Sequence, residues 1–282
     1  MVPEQFVSIL SLKEGTMKPV SRLRVGLQPS GVDLNAMGEM ALVANRLDGT
    51  ISVLKLESGV WYLAQTVQVA TAEGGVTDVS FNSDQMHAIF TVRESQKLGL
   101  LTLDPESEKW HSSQPLLALP GRPYRVVVDP AGRYAYTNLS HVELKGAGSL
   151  VSVRLEYPNL VVDQVVDLGV RSPETVEISL DGKWLMCPMM AGSNLAKSDP
   201  DFDENGRLLI YERGDRLTLF QKIVCGAIPE GVAFSSDANE IVVQSHPNKE
   251  LEIYARSSHN ENFVLNKKLQ VDGYPSALIP LR

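Results

Sequence analysis

The sequence is poor in the features that staple, span or grip. It has two cysteines in 282 residues, no apolar run approaching 18 residues, and fewer basic than acidic side chains (26 against 34, net charge −8). Two cysteines exclude a disulfide-stapled scaffold. The missing apolar run excludes a membrane-spanning helix. The charge balance argues against a general nucleic-acid binder, which needs a basic face to neutralise phosphates. The opening MVPEQFVSILSLKEG has no basic start and no long apolar core, so it does not read as a signal peptide. A periplasmic or secreted location would need a longer N-terminus. There is no P-loop, no GxSxG elbow, no HExxH and no dinucleotide fingerprint. Stretches with helical spacing are cut by Gly, Pro or β-branched pairs.

What the chain has is a repeat. Six segments share one pattern, beginning at Pro29, Gly75, Pro123, Pro173, Pro229 and Pro275, spaced 46, 48, 50, 56 and 46 residues apart. Each full copy reads as four short strands. An apolar first strand (GVDL, TDVSF, RVVVD, TVEIS, GVAFS) meets a turn of Asn, Asp, Ser, Pro and Gly. A second apolar strand follows (MALVAN, HAIFTV, YAYTN, WLMCP, IVVQ), then a third (TISVLKL, LGLLTL, LVSVRL, RLLIYE, ELEIYA). The fourth is more polar (YLAQTVQVA, VVDQVVDLG, LTLFQKIVC, VLNKKLQVD), as suits an outer edge. Asp48-Gly49 and Asn205-Gly206 read as hairpin turns between second and third strands. This period with this strand content predicts an all-β propeller of four-stranded antiparallel blades in one domain, 1–282.

Residues 5–26 match a third and fourth strand, and 275–282 a first strand. A closing blade from 1–28 plus 275–282 is therefore expected, with no second strand. The chain thus reads as six blades with an incomplete last one, or as an N-terminally shortened form of a seven-bladed parent. The repeat also separates Cys187, in a second strand, from Cys225, in a fourth. At ~4.8 Å per strand they lie about 9–10 Å apart, beyond the ~7 Å reach of a disulfide, so both thiols are expected free.

The segments LQPSGVDLNAMGEMALVANRLDGTISVLKL, GRPYRVVVDPAGRYAYTNLS, IPEGVAFSSDANEIVVQSHPNKELEIYA and DGYPSALIPLR resemble the lactonase-like, YVTN-type β-propeller family across essentially the whole chain. The resemblance implies seven blades in most members, and sugar-lactonase or muconate-cyclising activity in the enzymatic ones. Those enzymes tend to carry histidines where this chain has Arg122, Tyr124 and Arg125.

In propellers, functional groups gather on the face made by the loops leading into first strands and the loops joining second to third strands. The first set supplies Gln28, Arg122, Tyr124, Arg125, Glu174, Glu230 and Tyr274. The second supplies Asn45, Arg46, Arg93, Glu94, Asn138, His141, Ser193, Asn194, Gln244 and His246. Arginine binds carboxylate bidentately, so Arg122 and Arg125, with Arg93, Glu174, Asn45 and Asn138, are the candidate ligand-binding set. Glu230 and His246 are the candidate acid and base for a strained ester. The expected partner is a small lactone or related organic acid. The alternative is a non-catalytic scaffold that binds a protein or peptide.

No cofactor is expected. Asp201, Asp203, Asn205 and Glu212 fit a calcium-loop pattern formally, but the repeat turns Asn205-Gly206 into a hairpin and RLLIYE into a strand. His141-Val142-Glu143 is a chance likeness to a metal motif, because no Cys-x-x-Cys follows. The stretch Met190–Asp203 is the longest insertion, fit for a lid or partner-binding loop as well as for a plain excursion.

Overall fold

The computed structural model describes residues 4–13, 16–141, 146–258 and 261–278. The chain groups into two compact units. One holds Met1–Val126 and Glu156–Leu160, the other Val127–Leu155 and Val161–Arg282. Val142 and Glu143 lie outside the described residues, as do residues 1–3 and 279–282 of the expected closing blade.

The first unit opens with a hairpin of β1 (Phe6–Lys13) and β2 (Thr16–Arg24). A four-stranded antiparallel sheet follows in chain order: β3 (Pro29–Leu34), β4 (Met40–Asn45), β5 (Thr50–Glu57) and β6 (Val60–Gln68). The next sheet holds β7 (Val76–Phe81), β8 (His87–Val92), β9 (Lys97–Asp104), β10 (Lys109–Ser112) and β11 (Leu117–Ala118). Its fourth strand is split. Both β10 and β11 pair with β9, on either side of a cis Gln114–Pro115 bond.

A third sheet contains β12 (Arg122–Val128), β13 (Tyr134–Ser140), β14 (Ser149–Glu156) and β15 (Asn159–Asp167), and its chain segments are shared between the units. The second unit adds β16 (Glu177–Ile178), β17 (Trp184–Met189), β18 (Gly206–Arg213) and β19 (Leu217–Cys225). Its last sheet is β20 (Val232–Phe234), β21 (Glu240–Ser245), β22 (Glu250–Arg256) and β23 (Phe263–Gln270). These are propeller blades, five of them complete. The sixth is represented in sheet by β1–β2 alone, and residues 271–278 form no strand.

Sequence explains most of this. Second strands such as Met40–Asn45 and Trp184–Met189 are almost wholly buried on both faces, so they are apolar apart from the closing Asn45. Fourth strands are the more exposed ones, with Val60, Leu63, Leu219 and Val224 at the surface beside their polar side chains. The turn after four of the five first strands is held by a side-chain acceptor at one repeat position; after β7 Asp84 Oδ1 takes that part, accepting from His87 N. Asn35 Oδ1 accepts from Met40 N, Asp129 Oδ1 from Tyr134 N, Ser179 Oγ from Trp184 N and Ser235 Oγ from Glu240 N. Three of these turns use a left-handed glycine, Gly38, Gly132 and Gly182.

The same bulge recurs where third strands meet fourth: Val53/Leu54, Ile210/Tyr211 and Ile253/Tyr254. It also occurs at Ile9/Leu10, which marks β1 and β2 as a third and fourth strand. Apolar side chains fill the space between neighbouring sheets within each unit. Leu42, Val53, Val79, Phe90 and Trp110 form one such layer, and Trp184, Met186, Ile210, Val232 and Phe263 another.

Two expectations need correction. The first strand predicted as TVEIS is reduced to Glu177–Ile178. Asn205-Gly206 is not a left-handed hairpin turn. Gly206 opens β18, and a Cβ there would sit 2.6 Å from Pro229 Cδ and 2.8 Å from Gly226 O, so this glycine permits close approach. The Met190–Asp203 insertion is ordered into turns, with Ser193 Oγ donating to Met190 O (2.7 Å) and accepting from Ile228 N (2.9 Å). Both cysteines are free and buried, as expected.

Candidate functional site

Each unit carries one cluster of chemistry-bearing side chains. In the first unit three loops bring arginines to Glu94. Arg122 Nε lies 3.4 Å from Glu94 Oε2 and Arg46 Nη2 lies 3.8 Å from Oε1, while Arg93 pairs with the same Oε1. The loops are tied down by backbone bonds. Arg93 N donates to Gly75 O (2.9 Å), Glu94 N to Gly74 O (2.8 Å) and Arg46 N to Gln28 O (3.0 Å). The three arginine side chains are partly exposed, at 33%, 20% and 28% for Arg46, Arg93 and Arg122, with Arg122 Nε buried. Guanidinium forks pair geometrically with carboxylates and other oxyanions.

Arg125, the other predicted anion holder, has a different neighbour. It stands near Asp78, a buried carboxylate that accepts from Val126 N at 2.8 Å. Burial pushes the Asp78 carboxyl up to about 6, against the opposing pull of Arg125. Asp78 was not among the predicted residues. Its signal is visible in the sequence, as a lone carboxylate inside the apolar first strand VTDVSF. Asn45 is fully buried at the end of β4. Its Nδ2 donates to Thr50 Oγ1 (2.9 Å) and Ser52 Oγ (3.0 Å), so its donor already closes the β4–β5 turn.

In the second unit Glu230 and His246 come together. Glu230 Oε2 is 3.8 Å from His246 Nδ1, and Nδ1 is also 3.0 Å from Pro275 O. The Tyr274 ring centroid is 5.3 Å from that of His246, and Lys249 Nζ caps the tyrosine ring at 4.6 Å. Both members of the pair are part-buried. Desolvation raises the Glu230 carboxyl above the ordinary range, while His246 pulls it back. A carboxyl and an imidazole in this relation can pass a proton to or from a third group placed beside them.

Glu174 sits at the start of the preceding sheet, its N bonded to Pro188 O (3.1 Å). Asn138 is fully buried within β13, opposite Leu150. The calcium-loop residues are spread among cations. Asp201 pairs with Arg171 (2.9 Å), Asp203 with Arg207 (2.6 Å) and Glu212, in β18, with Lys183 (3.4 Å). Among the described residues no three His, Cys, Asp or Glu side chains converge as metal ligands would.

No family model matches the sequence, and no curated protein matches it significantly. Solved structures do match. A candidate 6-phosphogluconolactonase from Bacteroides uniformis aligns at TM-score 0.79 and 17% identity, over 96% of this chain and 80% of that one. The periplasmic gluconolactonase PpgL from Pseudomonas aeruginosa aligns at TM-score 0.70 and 20% identity, over 93% and 76%. The Cps50 (Swd1) β-propeller domain from Myceliophthora thermophila aligns at TM-score 0.66 and 13% identity, over 91% and 77%. At these identities the likeness establishes the propeller fold, the one that the lactonase-like proteins share.

Proposed function

We propose that the protein binds a small lactone or the corresponding hydroxy acid and hydrolyses the lactone, with Glu230 and His246 as base and acid. The observation that carries this reading is the Glu230–His246 pair. It is a half-buried carboxyl raised by desolvation, 3.8 Å from an imidazole, at a loop position where propellers present functional groups. Ionised Glu230 takes a proton from water, and the water oxygen bonds to the lactone carbonyl carbon. The ring C–O bond then breaks and the departing ring oxygen takes a proton from His246. One water is added and no redox partner is needed.

Within the second unit, Glu174 and Asn138 are assigned as polar ligand contacts; within the first, Arg122, Arg93 and Arg125, with Asn45, are assigned to an anion-binding set of its own. Two of the similar folds named above belong to proteins described as lactonases, which favours an ester of this class. Hydrolysis of a lactone panel that includes glucono-1,5-lactone, followed by pH-stat, is the test. Glu230→Gln and His246→Ala should each lower kcat at least a hundredfold. Absence of turnover in the unaltered protein, or turnover indifferent to both substitutions, overturns the assignment.

A further inference from the structure

The second unit contains a polar side chain that is buried without a partner beside the Glu230–His246 pair. Gln244, at the end of β21, has no exposed surface, and neither its Nε2 nor its Oε1 forms a hydrogen bond. A buried unpaired amide forfeits the hydrogen bonds it made to water without replacing them, and such groups in folded proteins call for an explanation. An apolar Met or Leu would fill this place without that cost. His246 is two residues further along the same strand end, and Gly231, next to Glu230, faces Gln244 directly. A Cβ on Gly231 would lie 2.8 Å from Gln244 Oε1, 2.4 Å from Leu278 N and 2.9 Å from Ala277 C.

Gln244 Oε1 and the backbone of Ala277–Leu278 thus border the same point, so the segment Tyr274–Leu278 passes beside Gln244. This segment is held differently from every other chain passage at the equivalent repeat position. Five of the six copies place a first strand of a sheet there. Here residues 274–278 have no strand partner among the described residues. The contacts found for the segment are the His246 Nδ1 to Pro275 O bond (3.0 Å), the Tyr274 ring between His246 and Lys249, and the close approach of Ala277–Leu278 to Gly231. Tyr274 is 61% exposed, so its ring is a clip on the surface and not a core anchor.

We infer that Gln244 is a ligand-contacting residue of the Glu230–His246 site, and that Tyr274–Leu278 is a strap which a ligand displaces to reach it. The inference rests on the proposed function for the identity of the ligand. An amide offers a donor and an acceptor side by side, the pairing that adjacent hydroxyls of a sugar acid present. Displacing the strap costs the His246–Pro275 bond and the tyrosine contact. Pairing both Gln244 groups with the ligand offsets that loss.

The test joins a stability measurement with a binding measurement. Gln244→Met, of similar volume, should leave the melting temperature equal or higher, because two unpaired polar groups go. The same substitution should raise the calorimetric Kd for gluconate at least tenfold. Ending the chain at Gly273 should lower that Kd, since no strap remains to be moved. Tyr274→Ala, which keeps the chain length, should lower it too, and decides the matter if the shortened chain does not fold. A lower melting temperature for Gln244→Met marks the glutamine as structural and overturns the inference whether or not gluconate binds. An unchanged Kd in Gln244→Met, or weaker binding in both strap variants, overturns it as well. If gluconate binds none of the proteins while Gln244→Met is as stable as the parent, the sugar-acid reading falls and takes the assigned ligand contact with it.

Discussion

The side-chain amide of Gln221 is bonded both ways to the backbone of Phe263. Nε2 donates to Phe263 O at 2.9 Å and Oε1 accepts from Phe263 N at 2.8 Å. The fourth strand of one blade is thereby clipped to the fourth strand of the next. Gln65 does the same to Trp110, with distances of 2.8 and 2.9 Å. Gln164 bridges Asp215 O (3.0 Å) and Leu217 N (3.1 Å). Gln221→Leu leaves a backbone donor and a backbone acceptor without their partner. The expected loss is about 2 kcal/mol, read as a lower urea midpoint with an unchanged m-value. A midpoint equal to the parent's would show that water replaces the amide freely.

Gly31 and Asp78 make a second contact between blades. A Cβ at residue 31 would fall 2.0 Å from Asp78 Oδ1, 2.6 Å from Asp78 Cα and 2.8 Å from Thr77 O. Two of those atoms are backbone and cannot turn away. Gly31→Ala should therefore destabilise by about 2–3 kcal/mol, the upper range for overpacking, despite removing a flexible residue. Combined with Asp78→Ala the cost should fall only in part, because the backbone clash remains. Thermal unfolding of the two single variants and the double variant checks this.

How much of this could be read beforehand follows from what a repeat encodes. Strand identity, blade phase, the burial of second strands and the separation of Cys187 from Cys225 are periodic properties, and each was legible. The bulge at Ile9/Leu10 supports even the assignment of the N-terminal hairpin to third and fourth strands. Glu230 and His246 were legible as a pair because both fall on loop positions of the repeat. Asp78 was not, because its chemistry comes from burial and from Arg125 in a different sheet. The Gln65, Gln164 and Gln221 clips were available in principle, as glutamines at matching places in three fourth strands. Their role depends on the backbone of the next blade, which a strand pattern does not contain. The three arginines on Glu94 were named as loop residues, but their shared carboxylate is a matter of side-chain direction.

That shared carboxylate makes a prediction about anion binding in the first unit. Arg93→Ala and Arg122→Ala should each weaken binding of citrate, used as a simple carboxylate probe of this cluster, about tenfold, roughly one charge-assisted hydrogen bond. Glu94→Gln should strengthen it, because a competing internal anion is removed. Binding to the parent should weaken as salt is raised, since the arginine side chains are partly exposed. Calorimetry at two ionic strengths distinguishes these outcomes. Equal affinities across all three variants would place the anion elsewhere.

Asp78 makes stability depend on pH in a direction opposite to that of a salt-bridged carboxylate. Its carboxyl titrates at about 6 in the folded chain, where burial raises it and Asp33 adds to the rise. Arg125 and the N–H groups of Val126 and Val79 oppose it. In the unfolded chain it titrates near the ordinary value of about 3.9. Below both values the group is protonated in either state and contributes nothing. Between them the folded chain holds the extra proton, so stability falls as pH rises through this window. Above about 6 the cost is fully present and of order 3 kcal/mol at most. Asp78→Asn keeps an acceptor for Val126 N and removes the titration. Its stability relative to the parent should therefore improve between pH 4 and about pH 6 and level off above that, whatever the offset caused by replacing the carboxylate beside Arg125. Urea unfolding of both proteins across that range measures the slope directly, and parallel pH profiles would mean that Asp78 does not carry it.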